Sequence, residues 1–176
     1  MAPKFRGSFD QKIDGKGRVS VPASFRKVIE ASDPDFAAAS KSDTIKGSPA
    51  SVVVIFGDHR RNYLECRSIR SMDVIDAGID ALLDGSKERE YLEELYYAQS
   101  VTLQVDDDGR IILPQRVREK IGLDGETLFV AAGERFEIWK PETYEAVKVA
   151  KTRAWLDAKP EDYNPLSEIR RPSEAQ

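Results

Sequence analysis

The sequence predicts an α+β protein: two tandem copies of one strand–turn–strand–helix unit that share a small β-barrel about a pseudo-twofold axis, with helices on its flanks. Three observations carry this expectation. The stretch "DGKGRVSVPASFR" at 14–26 returns as "DDDGRIILPQRVR" at 106–118, in register at an offset of 92 residues. In both copies the residues after the turn alternate and then, beyond a proline, switch to helical spacing. Each copy alone is too small to cover its own sheet edges and apolar faces, so two copies in one chain are expected to complete each other.

Residues 5–13 read as the first strand, with Phe5, Phe9 and Ile13 apolar. Gly15 and Gly17 permit a tight turn. In "RVSVP", Val19 and Val21 share one face and Arg18 and Ser20 the other. Pro22 ends the strand and suits the first turn of a helix, where Phe25, Val28 and Ile29 follow at helical spacing. Strands are expected at about 51–56 and 62–66, then helices at about 70–83 and 87–98, the second with Tyr91, Leu92, Leu95 and Tyr96 along a core face. The second copy repeats the grammar: "VTLQV", the "DDDG" turn, "RIILP", a helix in "QRVREKIG" stopped by Gly122, and strands at about 127–131 and 135–139. "YLECRSIRSMDVI" and "FEIWKPETYEAVK" align at an offset of only 73, so the first copy carries about 19 extra residues, placed at 33–50 as an inserted loop. The expected organisation is a first repeat over 5–83, a linking helix at 84–98, a second repeat over 99–150, and a partly disordered C-terminal helix and tail at 151–176, Pro-rich from 159.

The net charge of −4 hides an asymmetry. Residues 1–30 hold seven cations (Lys4, Arg6, Lys12, Lys16, Arg18, Arg26, Lys27) against Asp10, Asp14 and Glu30, a balance of +4 that leaves −8 for the remainder. A local basic surface attracts phosphate while acidic surfaces elsewhere limit indiscriminate binding. No apolar run is long enough for a membrane span, and "MAPKFRGSFD" lacks the apolar core of an export signal, so a cytoplasmic protein with no membrane partner is expected. Cys66 and His59 are each the only residue of their kind, which argues against an internal disulfide or a Cys/His metal site.

The repeated turn holds the candidate chemistry. Arg18 and Arg110 each follow a glycine, Gly17 and Gly109, and stand four residues beyond an acid, Asp14 and Asp106. Arginine offers a planar fork of donors that fits phosphate oxygens or the O6 and N7 of guanine. The carboxylate either accepts from that guanidinium or takes the turn's N–H groups; either role stiffens the loop. Lys16 adds a phosphate contact at the first tip, where the second copy has Asp108, so the two turns are not expected to bind equally. Catalytic readings are weaker. Nothing around His59 resembles a nucleophile elbow, Asp106–Asp108 do not complete a calcium loop, and "GKGR" lacks the spacing of a nucleotide-phosphate loop, so no catalytic residue and no cofactor are assigned.

Taken together, "KFRGSFDQKIDGKGRVSVPASFR", the second "DDDGRIILPQRVR" and "FEIWKPETYE" resemble the MraZ family, over roughly residues 4–150. That family is related to the AbrB/SpoVT swapped-hairpin DNA-binding proteins. The paired Asp-x-x-x-Arg turns are its specific mark. The resemblance implies a nucleoid-associated transcription factor acting on the promoter of the division and cell-wall gene cluster. It also implies a ring-shaped homo-oligomer whose turns contact repeated boxes of double-stranded DNA. Arg18 and Arg110 are then the principal DNA contacts, Lys16 and Arg6 assist, and Asp14 and Asp106 orient the turns. The alternative is an AbrB-like scaffold or antitoxin-type module that binds another protein through the tail at 160–176.

Overall fold

The computed structural model describes residues 3–41 and 47–169. The chain forms two compact units, Met1–Pro141 and Glu142–Gln176. In the first unit the elements are β1 (Ser8–Lys12), β2 (Arg18–Ser20), α1 (Ala23–Ala31), α2 (Pro34–Ser40), β3 (Ser51–Ile55), β4 (Tyr63–Ser68), α3 (Ile69–Asp80), α4 (Lys87–Glu93), β5 (Ser100–Gln104), β6 (Arg110–Ile112), α5 (Gln115–Ile121), β7 (Glu126–Ala132) and β8 (Arg135–Trp139). A π-helical turn, Glu94–Ala98, extends α4.

The strands form a mixed arrangement of antiparallel sheets. One is six-stranded, in the order β1-β7-β8-β4-β3-β5; the other is a two-stranded ribbon of β2 and β6. Exchanging the two copies (β1 with β5, β3 with β7, β4 with β8) leaves the six-stranded order unchanged. The first strand of each copy therefore pairs with a later strand of the other, as Phe9 opposite Phe129 and Val54 opposite Val101 illustrate. The expected closed barrel is not formed among the described residues, because β1 and β5 remain at opposite edges of an open sheet. Proline explains part of this. Pro22 and Pro114 immediately precede α1 and α5, and with no N–H to donate they help end β2 and β6 after three residues each.

The core lies between ribbon and sheet. Val19 and Ile111, opposite each other in the ribbon, are buried together with Val21, Leu113, Phe25 and Val117. The Phe25 ring stands 5.0 Å from Phe136, 5.3 Å from Phe5 and 5.4 Å from Phe9. Where the copies meet in the sheet, Glu65 and Glu137 are direct cross-strand partners and both are buried. Arg67 (2.6 Å) and Arg61 bind Glu65, while the Trp139 indole N–H (2.8 Å) and Arg135 (3.4 Å) bind Glu137. Each carboxylate thus has a cation beside it, as buried charge requires.

Other expectations are modified. Part of the insert is helical: Asp33 caps α2 by accepting from the N–H groups of Asp35 (3.0 Å) and Phe36 (3.2 Å), with Pro34 at the first helical position. The same carboxylate accepts from Ser51 N–H at 2.8 Å, tying the insert to β3. Residues 42–46 of the insert lie outside the described residues. The face expected from Tyr91, Leu92, Leu95 and Tyr96 is only partly covered, and Tyr91 is exposed. The π turn changes the residues per turn within this helix, so a stripe drawn at regular helical spacing drifts off the covered side.

In the second unit a π-helical turn at Tyr144–Val149 leads into α6 (Ala150–Asp157), and a 3₁₀ turn spans Pro165–Glu168. Within the stretch expected to be a partly disordered helix and tail, Trp155 and Tyr163 pack edge to face at 5.9 Å, with the Lys159 ammonium over both rings. Residues 170–176, which complete that tail, lie outside the described residues.

Candidate nucleic-acid interface

Each turn is built by one aspartate. In the first copy, Asp14 Oδ1 accepts from the N–H groups of Lys16 (2.9 Å) and Arg18 (3.0 Å), while Oδ2 accepts from Arg18 Nε (2.6 Å). Backbone bonds from Gly17 N–H to Asp14 O and from Asp14 N–H to Arg18 O close the loop. The carboxylate therefore performs both of the roles open to it from the sequence. In the second copy, Asp106 Oδ1 takes the N–H groups of Asp108 and Arg110, each at 2.9 Å, with the same two backbone bonds. Here the guanidinium goes elsewhere. Arg110 Nη2 donates to Asp108 Oδ2 at 2.8 Å, and Nε lies 3.5 Å from Asp106 Oδ2, buried and without a hydrogen-bond partner. Donation by the Arg18 backbone N–H, then by its guanidinium, holds the Asp14 carboxyl below its ordinary range; the Arg110 backbone N–H does the same for Asp106.

The ribbon brings the two arginines to one place. Arg18 is opposite Ile112 and Ser20 opposite Arg110, so all four side chains leave the same face of the ribbon while Val19 and Ile111 fill the other. Arg18 and Arg110 occupy diagonal positions, on the order of 7–8 Å apart along the backbone. Their side chains are 41% and 37% exposed, and Lys16 is exposed at the first tip. Arg6 is not part of this group. It sits beyond the other end of β1, near the β7–β8 turn, where its neighbours Phe5 and Gly7 bond to Gly133 and Ala131.

Two residues given little weight in the sequence complete the site. Arg118, from α5 of the second copy, donates to Leu113 O (3.0 Å) and reaches Gly15 O (3.5 Å) of the first turn. Arg26, from α1 of the first copy, lies against Gly109 of the second turn. The backbone crosses over in the same way, with Leu113 N–H on Gly17 O (2.8 Å) and Val21 N–H on Gly109 O (2.9 Å). Each turn is thus clamped by the other copy. The available signal was that Arg26 and Arg118 also match at the offset of 92. Gly17 and Gly109 have φ of 85° and 76°, and a β carbon on either would collide, with the Leu113 carbonyl oxygen or the Arg26 guanidinium. Gly15 has no such requirement, and Asp107 takes its place in the second copy.

With paired arginines on an exposed ribbon, the site belongs to the class that can engage an extended anion. A family model described as "MraZ protein, putative antitoxin-like" matches residues 96–162. A transcriptional regulator MraZ of Ruegeria pomeroyi is 46% identical over 166 residues, covering 94% of this chain and 95% of that protein. Those of Parvibaculum lavamentivorans and Rickettsia akari are 38% and 30% identical, covering 82% and 80% of this chain and 81% and 84% of theirs. The chain belongs to the MraZ family. No helix among the described residues is long and apolar enough to cross a membrane.

Proposed function

We propose that this chain is a transcriptional regulator that binds double-stranded DNA through the β2–β6 ribbon, with Arg18 and Arg110 as its principal contacts. The observation that carries this reading is their shared outward face, each arginine held by carboxylates of its own turn. A two-stranded ribbon fits the major groove, where an arginine fork reads guanine O6 and N7 or grips phosphate. Lys16 assists at the first tip. Arg6 makes a separate, assisting contact at the far end of β1. The regulator acts on repeated boxes in the promoter of the division and cell-wall cluster, in the cytoplasm and at the nucleoid. Its interleaved strands support an AbrB/SpoVT-like swapped-hairpin architecture, with a repeat at 5–83, a link at 84–98, a repeat at 99–150 and a tail at 151–176. A ring of identical protomers multiplies weak contacts, which lets a chain of net charge −4 hold DNA. We assign it no catalytic step and no cofactor.

The test is anisotropy of a labelled fragment of the protein's own promoter, with light scattering of the same samples. Arg18→Ala is expected to weaken binding at least tenfold, the scale of one good arginine contact repeated across an assembly, and to leave particle size unchanged. Wild-type affinity in the double Arg18→Ala/Arg110→Ala variant would reject the assignment. A second reading, an antitoxin-type module, draws on the family description and on the exposed Leu166 and Ile169 near the end of the chain. A stoichiometric protein partner lost on deleting 160–176 would favour it.

A further inference from the structure

We infer that Asp108 competes with DNA for Arg110, so that the first turn of each protomer carries the main grip and the second is held in reserve. This rests on the ribbon being the DNA-binding surface. The two guanidinium groups are engaged at different ends. Arg18 is held at Nε by Asp14, and its two Nη groups, the outer tines of the fork, have no hydrogen-bond partner among the described residues. In Arg110 an outer tine is the one occupied: Nη2 donates to Asp108 Oδ2 at 2.8 Å, while the inner Nε is buried and lies 3.5 Å from Asp106 Oδ2 without a hydrogen bond. Asp108 is also the more exposed partner, 73% against 37%, so an approaching phosphate meets the carboxylate before the cation it holds. The surroundings add to the contrast. Asp14, Lys16 and Arg18 give the first turn a net charge of +1; Asp106, Asp107, Asp108 and Arg110 give the second −2.

An exposed ion pair is weak, so a phosphate or guanine can displace Asp108, at a several-fold loss of affinity. The carboxylate left beside the nucleic acid then repels it. The pseudo-symmetric ribbon therefore binds its site with a polarity: one half gripped through Lys16 and Arg18, the other touched only after Arg110 has left its own acid.

The experiment compares Arg18→Ala, Arg110→Ala, Asp108→Asn and the double Asp108→Asn/Arg110→Ala for promoter-fragment binding at two salt concentrations, with unfolding midpoints checking that each variant is folded. Expected are a larger loss from Arg18→Ala than from Arg110→Ala, and about 3–10-fold tighter binding by Asp108→Asn. Without Arg110 most of that gain should vanish. An equal or greater loss from Arg110→Ala, no tightening by Asp108→Asn, or the same gain with and without Arg110 would each overturn the inference; the last would mean simple repulsion of phosphate by Asp108. If the double Arg18→Ala/Arg110→Ala variant loses binding while Asp108→Asn gains nothing, only this inference falls. If that double variant binds as wild type does, the DNA-binding reading falls and takes this one with it.

Discussion

Gly17 and Gly109 occupy matched positions but face different obstacles. At Gly17 an added β carbon meets a backbone carbonyl, Leu113 O, of the residue whose N–H bonds to Gly17 O. At Gly109 it meets the end of the Arg26 side chain, which can swing away. Both sites hold positive φ, a conformation costing other residues on the order of 1–3 kcal/mol. Gly17→Ala is therefore expected to destabilise by about 2–4 kcal/mol and Gly109→Ala by about 1–2, read from urea unfolding. Equal losses would mean that the Leu113 carbonyl yields. The turn aspartates make a second prediction. Their folded-state values lie below the unfolded value of about 3.9. The stability they contribute is then fully present above that pH and is lost as pH falls through the lower, folded value. Carbon-13 titration should place both midpoints below the ordinary range, and Arg18→Ala should raise that of Asp14 only part of the way, because the backbone N–H donors remain. An ordinary midpoint in the intact protein would mean that the carboxylate does not lock the turn. Asp14, Gly17 and Arg18 were legible in the sequence because the hydrogen bonds that close the turn lie within five consecutive residues. Arg26 and Arg118 were not, because the turn that each one covers lies in the opposite copy.

Among the elements, the β4–β8 seam depends on buried carboxylates and the arginines beside them. Removing one partner of a buried pair leaves an uncompensated charge, a loss of about 3–5 kcal/mol. Arg67→Ala is expected near the lower end of that range, since Arg61 still reaches Glu65; a change under about 1 kcal/mol in the unfolding free energy would show that the seam does not need it. The clamp from α5 is a separate case. Arg118→Ala should speed amide exchange at Gly17 and Lys16 with little effect on global stability, while unchanged exchange would assign the ordering of that turn to Asp14 alone. Strand alternation, the prolines and the Gly122 stop made α5 and the two short strands of the ribbon readable in advance, but not that these strands pair with each other. The six-stranded order was harder, because alternation shows which side of a strand is apolar but not which strand lies beside it. The glutamates of the seam would also pass for solvent-facing positions on an alternating strand. Helix α2 was missed although Asp33-Pro34 is a start signal, because the small polar residues around it show no period.

At the scale of the molecule, the basic first thirty residues and the acidic remainder predict binding that is weak per protomer and steeply dependent on salt. Between 50 and 200 mM salt the promoter complex should weaken by orders of magnitude if several protomers each neutralise phosphates; a flat salt response would exclude phosphate contact as the source of affinity. Total charge conceals this distribution, which only the position of each charged residue reveals. The interleaving of the two copies has one more consequence. In a symmetric pair of identical subunits a codon change is written twice, so both fingertips of such a ribbon must change together. Joining the halves in a single gene removes that constraint, and a lysine at one tip can coexist with an aspartate at the other. Fusion leaves the interlaced scaffold intact while letting its two tips carry opposite charges.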